Sequence, residues 1–232
     1  MKISVVIPVL HEDRQIRGIL RSLISVGWAA SYEVIVVDGD PSGETIKQIR
    51  DPGIITMTAG RGRARQMNAG AAKASGDILL FLHADTLLPE GAFVKITDAL
   101  ANGCFIGGAF DLGIKNRRWI FRLISRCASW KHRLTRVPYG DQAIFILRSY
   151  FEELGGYPDI PLMEDVELMK RVKRKGWRII ILRDAVKTSA RKWEKDGVVY
   201  TVVRNWILQA LYLMGLPAEL LVKHYYKGWS EK

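Results

Sequence analysis

Asp38 and Asp85 each close a short apolar run, and between them lies Arg61-Gly62-Arg63-Ala64-Arg65, three arginines where a helical pattern begins. Carboxylates at strand ends beside guanidinium groups suit a polyanionic ligand. The arginines and a helix start take phosphate oxygens, and the acids take a hydroxyl, a base or a divalent cation. In Phe81-Leu82-His83-Ala84-Asp85-Thr86 an extended backbone puts His83 and Asp85 on one face. One imidazole and one carboxylate make a weak site for a divalent cation unless a ligand diphosphate completes the shell. The competing reading has Asp85 capping the next turn and His83 as a satisfied, half-buried imidazole. Farther on, Glu164 and Asp165 open a helical pattern with Val166, Met169 and Val172 facing inward and Lys170, Arg171, Lys173, Arg174 and Lys175 facing water. Acids in a first turn ordinarily complement the helix dipole. Here the loop Gly155-Gly156-Tyr157-Pro158-Asp159-Ile160-Pro161 delivers the pair to one point, where a carboxylate can act as general base.

The elements that must position these residues alternate. Strands are expected at 3–9, 32–38, 54–57 and 77–83, and helices at 15–25, 44–50, 63–74 and 91–100. Such alternation implies a parallel sheet covered on both faces, with ligands at the carboxyl ends of its strands. That rule selects residues 8–12, 38–43 and 83–86. Beyond residue 104 the pattern changes to strands at 104–113, 142–147 and 178–182, a basic helix within 115–136, a helix at 164–175 and late helices at 206–214 and 220–226. The expected fold is α/β, with a mixed, mostly parallel sheet flanked by helices in a single domain over 1–232. Its first half would be 1–103 and its second 104–195, followed by C-terminal helices at 196–232.

The 232 residues carry 35 Lys and Arg against 24 Asp and Glu, a formal charge of +11, and are 48% hydrophobic. Disorder and a disulfide-built miniprotein are excluded. Cys104 and Cys127 lack the pairing of a zinc or redox site and are expected to be reduced packing residues. The charge asks for an anionic partner. No targeting signal is expected at the start, where Ile3 to Leu10 runs into His11-Glu12-Asp13-Arg14, and the apolar stretch 198–222 is broken by Arg204, Asn205, Gln209, Pro217 and Glu219. A cytoplasmic protein follows, soluble or peripheral on the cytoplasmic face of the membrane. Residues 115–136 hold eight Lys or Arg and no acid, with Arg118, Arg122 and Arg126 beside a stripe of Trp119, Leu123, Cys127 and Trp130. Such a helix lies on an anionic bilayer or packs its stripe on the core. A dinucleotide fingerprint is missing, because Arg65 stands where the third glycine after Gly60 and Gly62 should fall.

Ser4-Val5-Val6-Ile7-Pro8, Val36-Val37-Asp38-Gly39, Gly62 to Gly70, Gly76-Asp77, His83-Ala84-Asp85 and Glu164-Asp165-Val166-Glu167-Leu168, in this order, resemble the motifs of a family-2 glycosyltransferase of GT-A fold. The strings GRARQMNAGA, FLHADT, YGDQAIF and TSARKWEKDG resemble the radical-SAM/selenodomain-associated transferase 2 subgroup. The resemblance runs from residue 3 to about 222. It implies an inverting transfer from a nucleoside-diphosphate sugar, with Asp165, next to Glu164, as catalytic base. It places Pro8, Asp38, Arg65, Asn68, Asp77 and Ala84 along the nucleotide and puts Mg²⁺ or Mn²⁺ on Asp85, with His83 in place of the first acid of the Asp-x-Asp metal motif. Arg191 and Trp193 fall where relatives carry a late basic and aromatic motif beside the donor. Gly39 replaces a second acid after Asp38. The acceptor, a small molecule or a lipid phosphate, and the oligomeric state are unspecified. A nucleotidyltransferase would need a Gly-x-Gly-x-Arg loop after the first strand, which is absent, and a nucleic-acid binder would leave the polar strand ends unexplained.

Overall fold

The computed structural model of the chain describes residues 1–25 and 32–225. In chain order the elements are β1 (Ile3–Val9), α1 (Asp13–Ser25), β2 (Tyr32–Asp38), β3 (Ile54–Thr58), α2 (Arg63–Lys73), β4 (Ile78–Phe81), β5 (Thr86–Leu87) and α3 (Ala92–Ala101). There follow β6 (Gly107–Lys115), α4 (Trp119–Thr135), β7 (Phe145–Leu147), α5 (Arg148–Glu153), α6 (Glu164–Arg174), β8 (Ile179–Ser189), α7 (Arg191–Asp196), α8 (Val198–Leu213) and α9 (Ala218–Tyr225).

One eight-stranded sheet runs β3-β2-β1-β4-β7-β6-β8-β5. The first four strands are parallel, and β7 enters antiparallel between β4 and β6. Apolar runs such as ISVVIPV form central strands because both faces are covered. Successive side chains of β1 accordingly enter different cores. Ile3, Val5, Ile7 and Val9 pack with Ile16, Ile19 and Leu23 of α1 and Ile96 of α3. Val6 packs with Met67 of α2, Val166 and Met169 of α6, and Leu208 of α8. At Gly70, α2 comes so close to β1 that a Cβ there would stand 2.4 Å from Val6 Cγ1. This contact seats the N-terminus of α2 beside the strand ends.

Several expected elements change length. Residues 44–50 form only a single 3₁₀ turn, Ile46–Gln48. The strand expected at 142–147 begins at Phe145, because Gly140–Gln142 makes another 3₁₀ turn and Ala143 turns left-handed at φ 51. β8 runs on to Ser189, since its polar tail pairs in parallel with β6 past an irregularity at Phe110/Asp111 and antiparallel with β5. The last late helix is described to Tyr225, and Tyr226 lies outside the described residues. Cys104 and Cys127 are free thiols, as expected, but both are exposed and neither packs in a core. No helix among the described residues is long and apolar enough to cross a membrane.

Candidate active site

The helices change sides between β1 and β4: α1, leaving β1, covers one face, and α2, leading into β4, covers the other. Loops at the carboxyl ends diverge at such a reversal and leave a crevice. Gln66 pins its edge, donating from Nε2 to Val9 O at 2.7 Å and Val37 O at 2.9 Å. A Cβ on Gly39 would press on Gln66 at 3.0 Å, so the missing acid after Asp38 has a packing cause.

Chain segments far apart in sequence meet there. Thr86 pairs with Thr188 across β5 and β8, their hydroxyls 3.2 Å apart, which carries Asp85 toward the end of β8. Arg191 Nη2 then lies 3.8 Å from Asp85 Oδ2 and 3.9 Å from Glu12 Oε2. From the other side Met163 enters α6 in the left-handed region, φ 68, which directs Glu164 and Asp165 into the same space. Asp165 Oδ2 accepts the Gly140 N–H at 2.8 Å and Oδ1 accepts that of Val166 at 2.7 Å. Residue 140 must be small, since a Cβ there would meet His83 Nε2 at 2.9 Å. The result is a cleft of about 190 Å³ walled by Arg63, His83, Asp85, Asp141, Glu164 and Asp165, with Trp193, Asn205, Leu208 and Tyr225 completing it.

Burial dominates the electrostatics. It pushes the Asp141 carboxyl up to about 7, helped by the charges of Asp165 and Asp85. Glu164 and Asp165 are also raised, chiefly by burial, with Asp165 acting on Glu164 and the two amide donors opposing the rise at Asp165. The Arg63 guanidinium offsets part of the rise in all three. His83, half-buried in the cleft wall and near Arg63, is desolvated, falls to about 3 and is neutral at pH 7. Asp141 Oδ1 is buried without a hydrogen-bond partner. A raised carboxyl pKa means that folding favours the protonated form. Asp141→Asn is therefore more stable than the parent above pH 7, and the difference shrinks as pH falls toward the unfolded carboxyl range near 4. Urea unfolding of both proteins at pH 8 and pH 5 measures it.

The structure brings together His83, Asp85, Glu164, Asp165, Arg191 and Trp193. Other expected residues are placed differently. Arg65 donates from Nε to both Asp159 oxygens at 2.8 and 2.9 Å, tying α2 to the following loop, and its place in the cleft is taken by Arg63. Two residues along a helix is about 200° of rotation, so both arginines cannot face one cleft. Asn68 is consumed by the Tyr157 backbone, donating to its O at 2.8 Å and accepting from its N at 2.9 Å. Asp77 precedes β4 and accepts the Lys2 N–H at 2.9 Å, at the opposite end of the sheet from the crevice. Asp38 is wholly buried, its carboxylate accepting the N–H groups of Asp40 and Thr45, so it shapes the 39–45 loop and does not present itself to a ligand. Ala84 packs in the core between the two cleft residues, and Pro8 lies half-buried beside Val37 in the β1–β2 pair.

Among the charged cleft residues, Asp141 is not expected from the sequence, and Arg63 is expected only as one of three arginines at a helix start. Asp141 sits within YGDQAIF ahead of an apolar strand, so the rule that selects polar residues following a strand passes over it. Among the described residues no group of three or more His, Cys, Asp and Glu side chains is arranged to hold a metal. Neutral His83 and part-exposed Asp85, sharing one cleft, fit a divalent cation whose other ligands are oxygens of a bound diphosphate.

The profile of glycosyl transferase family 2 matches residues 4–153. Among curated relatives, a probable glycosyltransferase, YdaM, of Bacillus subtilis is 26% identical over 226 residues, covering 87% of this chain and 52% of the relative. Dolichol-phosphate mannosyltransferase of Pyrococcus furiosus is 28% identical over 138 residues, 55% of this chain and 39% of that protein. The chain thus spans about half or less of the length of these relatives. Among solved structures, the mannosyltransferase PcManGT of Pyrobaculum calidifontis, in complex with GDP-Man and Mn²⁺, superposes with TM-score 0.68 at 20% identity, over 99% of this chain and 70% of that one. TarS 1-349 of S. aureus, in complex with UDP-GlcNAc, gives 0.60 at 16% identity, over 82% and 58%. These likenesses establish the GT-A fold, and with the profile covering more than half of its residues the chain belongs to glycosyl transferase family 2.

Proposed function

We propose that the chain transfers a sugar, with inversion, from a nucleoside-diphosphate sugar to an acceptor hydroxyl or lipid phosphate. The observation that carries this reading is that Asp165, fixed by two backbone donors, shares one cleft with His83 and Asp85, beside Arg191. At about 190 Å³ the cleft is smaller than the roughly 300–1,000 Å³ that encloses a whole ligand, so it takes the reacting end of the donor. The nucleotide then lies outward, along Pro8 and the 39–45 loop. That PcManGT was solved with GDP-Man and Mn²⁺ and TarS with UDP-GlcNAc supports this donor class.

Asp165 accepts the proton of an acceptor hydroxyl as its oxygen attacks the anomeric carbon from the face opposite the diphosphate. Burial makes Asp165 a stronger base than an exposed aspartate, and its two amide contacts leave lone pairs for the incoming proton. Glu164, beside it, is raised chiefly by burial and further by the charge of Asp165, which favours its protonated form and limits the negative charge facing the acceptor. Arg191, placed against Asp85, meets the departing phosphate, where most charge develops. A divalent cation on Asp85 and His83, Mn²⁺ or Mg²⁺, supplies further neutralisation of that diphosphate when bound, and the imidazole favours Mn²⁺.

Nucleoside-diphosphate release from a panel of nucleotide sugars, with Mn²⁺, Mg²⁺ or EDTA, tests this reading. Release with one nucleotide, abolished by EDTA, and a product of inverted anomeric configuration are expected. Retained configuration contradicts the single displacement, and formation of a nucleotide sugar from a triphosphate makes the chain a nucleotidyltransferase.

A further inference from the structure

The stripe of α4 does not pack on the core. Trp119, Leu123, Trp130 and Leu134 are 67%, 48%, 67% and 71% exposed, and α4 buries Phe121, Ser129 and His132 on its other side. Arg118, Arg122 and Arg126 flank the stripe and are exposed, as are Lys115, Arg117 and Arg136 nearby. α8 shows the same division. Thr201, Leu208 and Gln209 are buried, while Val199, Tyr200, Val203, Trp206, Ile207 and Leu213 face solvent, joined by Met214 and by Leu220 of α9. The one charged side chain of α8, Arg204, is turned inward against Asp196. The two helices adjoin, because Lys131 of α4 donates to Gln209 of α8 and Tyr139 donates to the same oxygen at 2.7 Å. A soluble surface rarely exposes this many large apolar side chains on neighbouring helices.

We propose that the joint face of α4, α8 and the start of α9 is a docking surface for an anionic lipid bilayer. Tryptophans amid aliphatics match the interfacial layer, and a rim of arginines with no acid in 115–136 matches anionic headgroups. The exposed acids Glu194 and Glu219 oppose part of this attraction and are outnumbered by the exposed Lys115, Arg117, Arg118, Arg122, Arg126 and Arg136. A two-fold contact with a second copy would gather both rows of arginines into one interface to which α4 brings no acid, so charge favours the bilayer. Docking is independent of the transfer chemistry. Resting on that reading, it places the cleft wall formed by Asn205, Leu208 and Tyr225 of α8 and α9 next to the bilayer, where a lipid phosphate acceptor resides.

The full chain is sedimented with vesicles of phosphatidylcholine, alone or with about 30 mol% phosphatidylglycerol, at about 50 mM and 500 mM salt, where screening lengths differ about three-fold. Pelleting with anionic vesicles at low salt and partial release at high salt are expected. Arg118→Ala/Arg122→Ala/Arg126→Ala lowers the partition coefficient about 100-fold, at roughly five-fold per basic residue near an anionic surface. Trp206→Ser/Ile207→Ser lowers it at both salt concentrations. No pelleting at low salt overturns the proposal, as does pelleting that both variants retain. A lipid-free dimer that Trp206→Ser/Ile207→Ser dissociates also overturns it, showing a second copy as the occupant. Nucleotide-dependent thermal shifts, measured on the same variants, stay at the parent value, so failure of docking is separable from failure of the transferase reading.

Discussion

Asp165→Asn lowers sugar transfer by about 10²–10⁴-fold, the usual worth of a positioned general base, and leaves donor binding within about two-fold of the parent. Binding survives because Asn keeps a carbonyl oxygen to accept one of the two backbone N–H groups and the phosphate-side groups, Asp85 and Arg191, are untouched. Single-turnover rates at saturating donor separate the two effects. In the parent, the acid limb of the rate profile lies above the ordinary aspartate range because burial raises Asp165, and activity grows as pH rises through that limb. Transfer to a hydroxyl acceptor at the parental rate contradicts the base assignment, whereas a lipid phosphate acceptor, already ionised, would need no base.

Arg63→Gln has the second largest effect. Its guanidinium opposes the burial of Asp141, Glu164 and Asp165 together, so removing it moves all three further toward the protonated form. Transfer at pH 7 falls about 10²-fold, as for loss of one preorganised charged group, and the acid limb of the pH profile moves to higher pH. Arg65→Gln loses only the exposed pair with Asp159, which solvent screens, and transfers at the parental rate. A full pH–rate profile of both variants checks this, and an unmoved acid limb in Arg63→Gln contradicts it.

The contrast between these arginines shows how far the sequence could be read. β1 and β2 are legible to their ends because strands buried on both faces are unbroken apolar runs. Asp85 is legible too, since a polar residue following such a run falls at the crevice, whereas Asp38 obeys the same rule and is buried beneath its own loop. Which arginine turns inward depends on helical phase, and phase is set by where α2 begins against β1, a tertiary contact made at Gly70. Asp77 matches a motif position yet precedes β4, and four strand residues at about 3.3 Å each separate it from the crevice. The tail of β8 carries Arg183, Asp184 and Lys187, a polar run that only pairing with β6 and β5 makes a strand. Asp141 hides for a related reason: the charged residues it meets in the cleft, Asp165 at the start of α6 and Asp85 after β4, are distant from it in sequence.

Thermal unfolding against UDP, GDP, CDP and dTDP and their sugar conjugates, each with Mn²⁺, Mg²⁺ or EDTA, tests most directly whether a nucleoside-diphosphate sugar binds at Asp85. A ligand at about 100 times its Kd adds roughly 2.7 kcal/mol, a rise in Tm of about 5–10 °C for a chain of this size. The predicted result is such a rise with one nucleotide and a divalent cation, lost with EDTA and lost in Asp85→Asn. No rise with any nucleotide, or a rise that Asp85→Asn retains in full, contradicts the account.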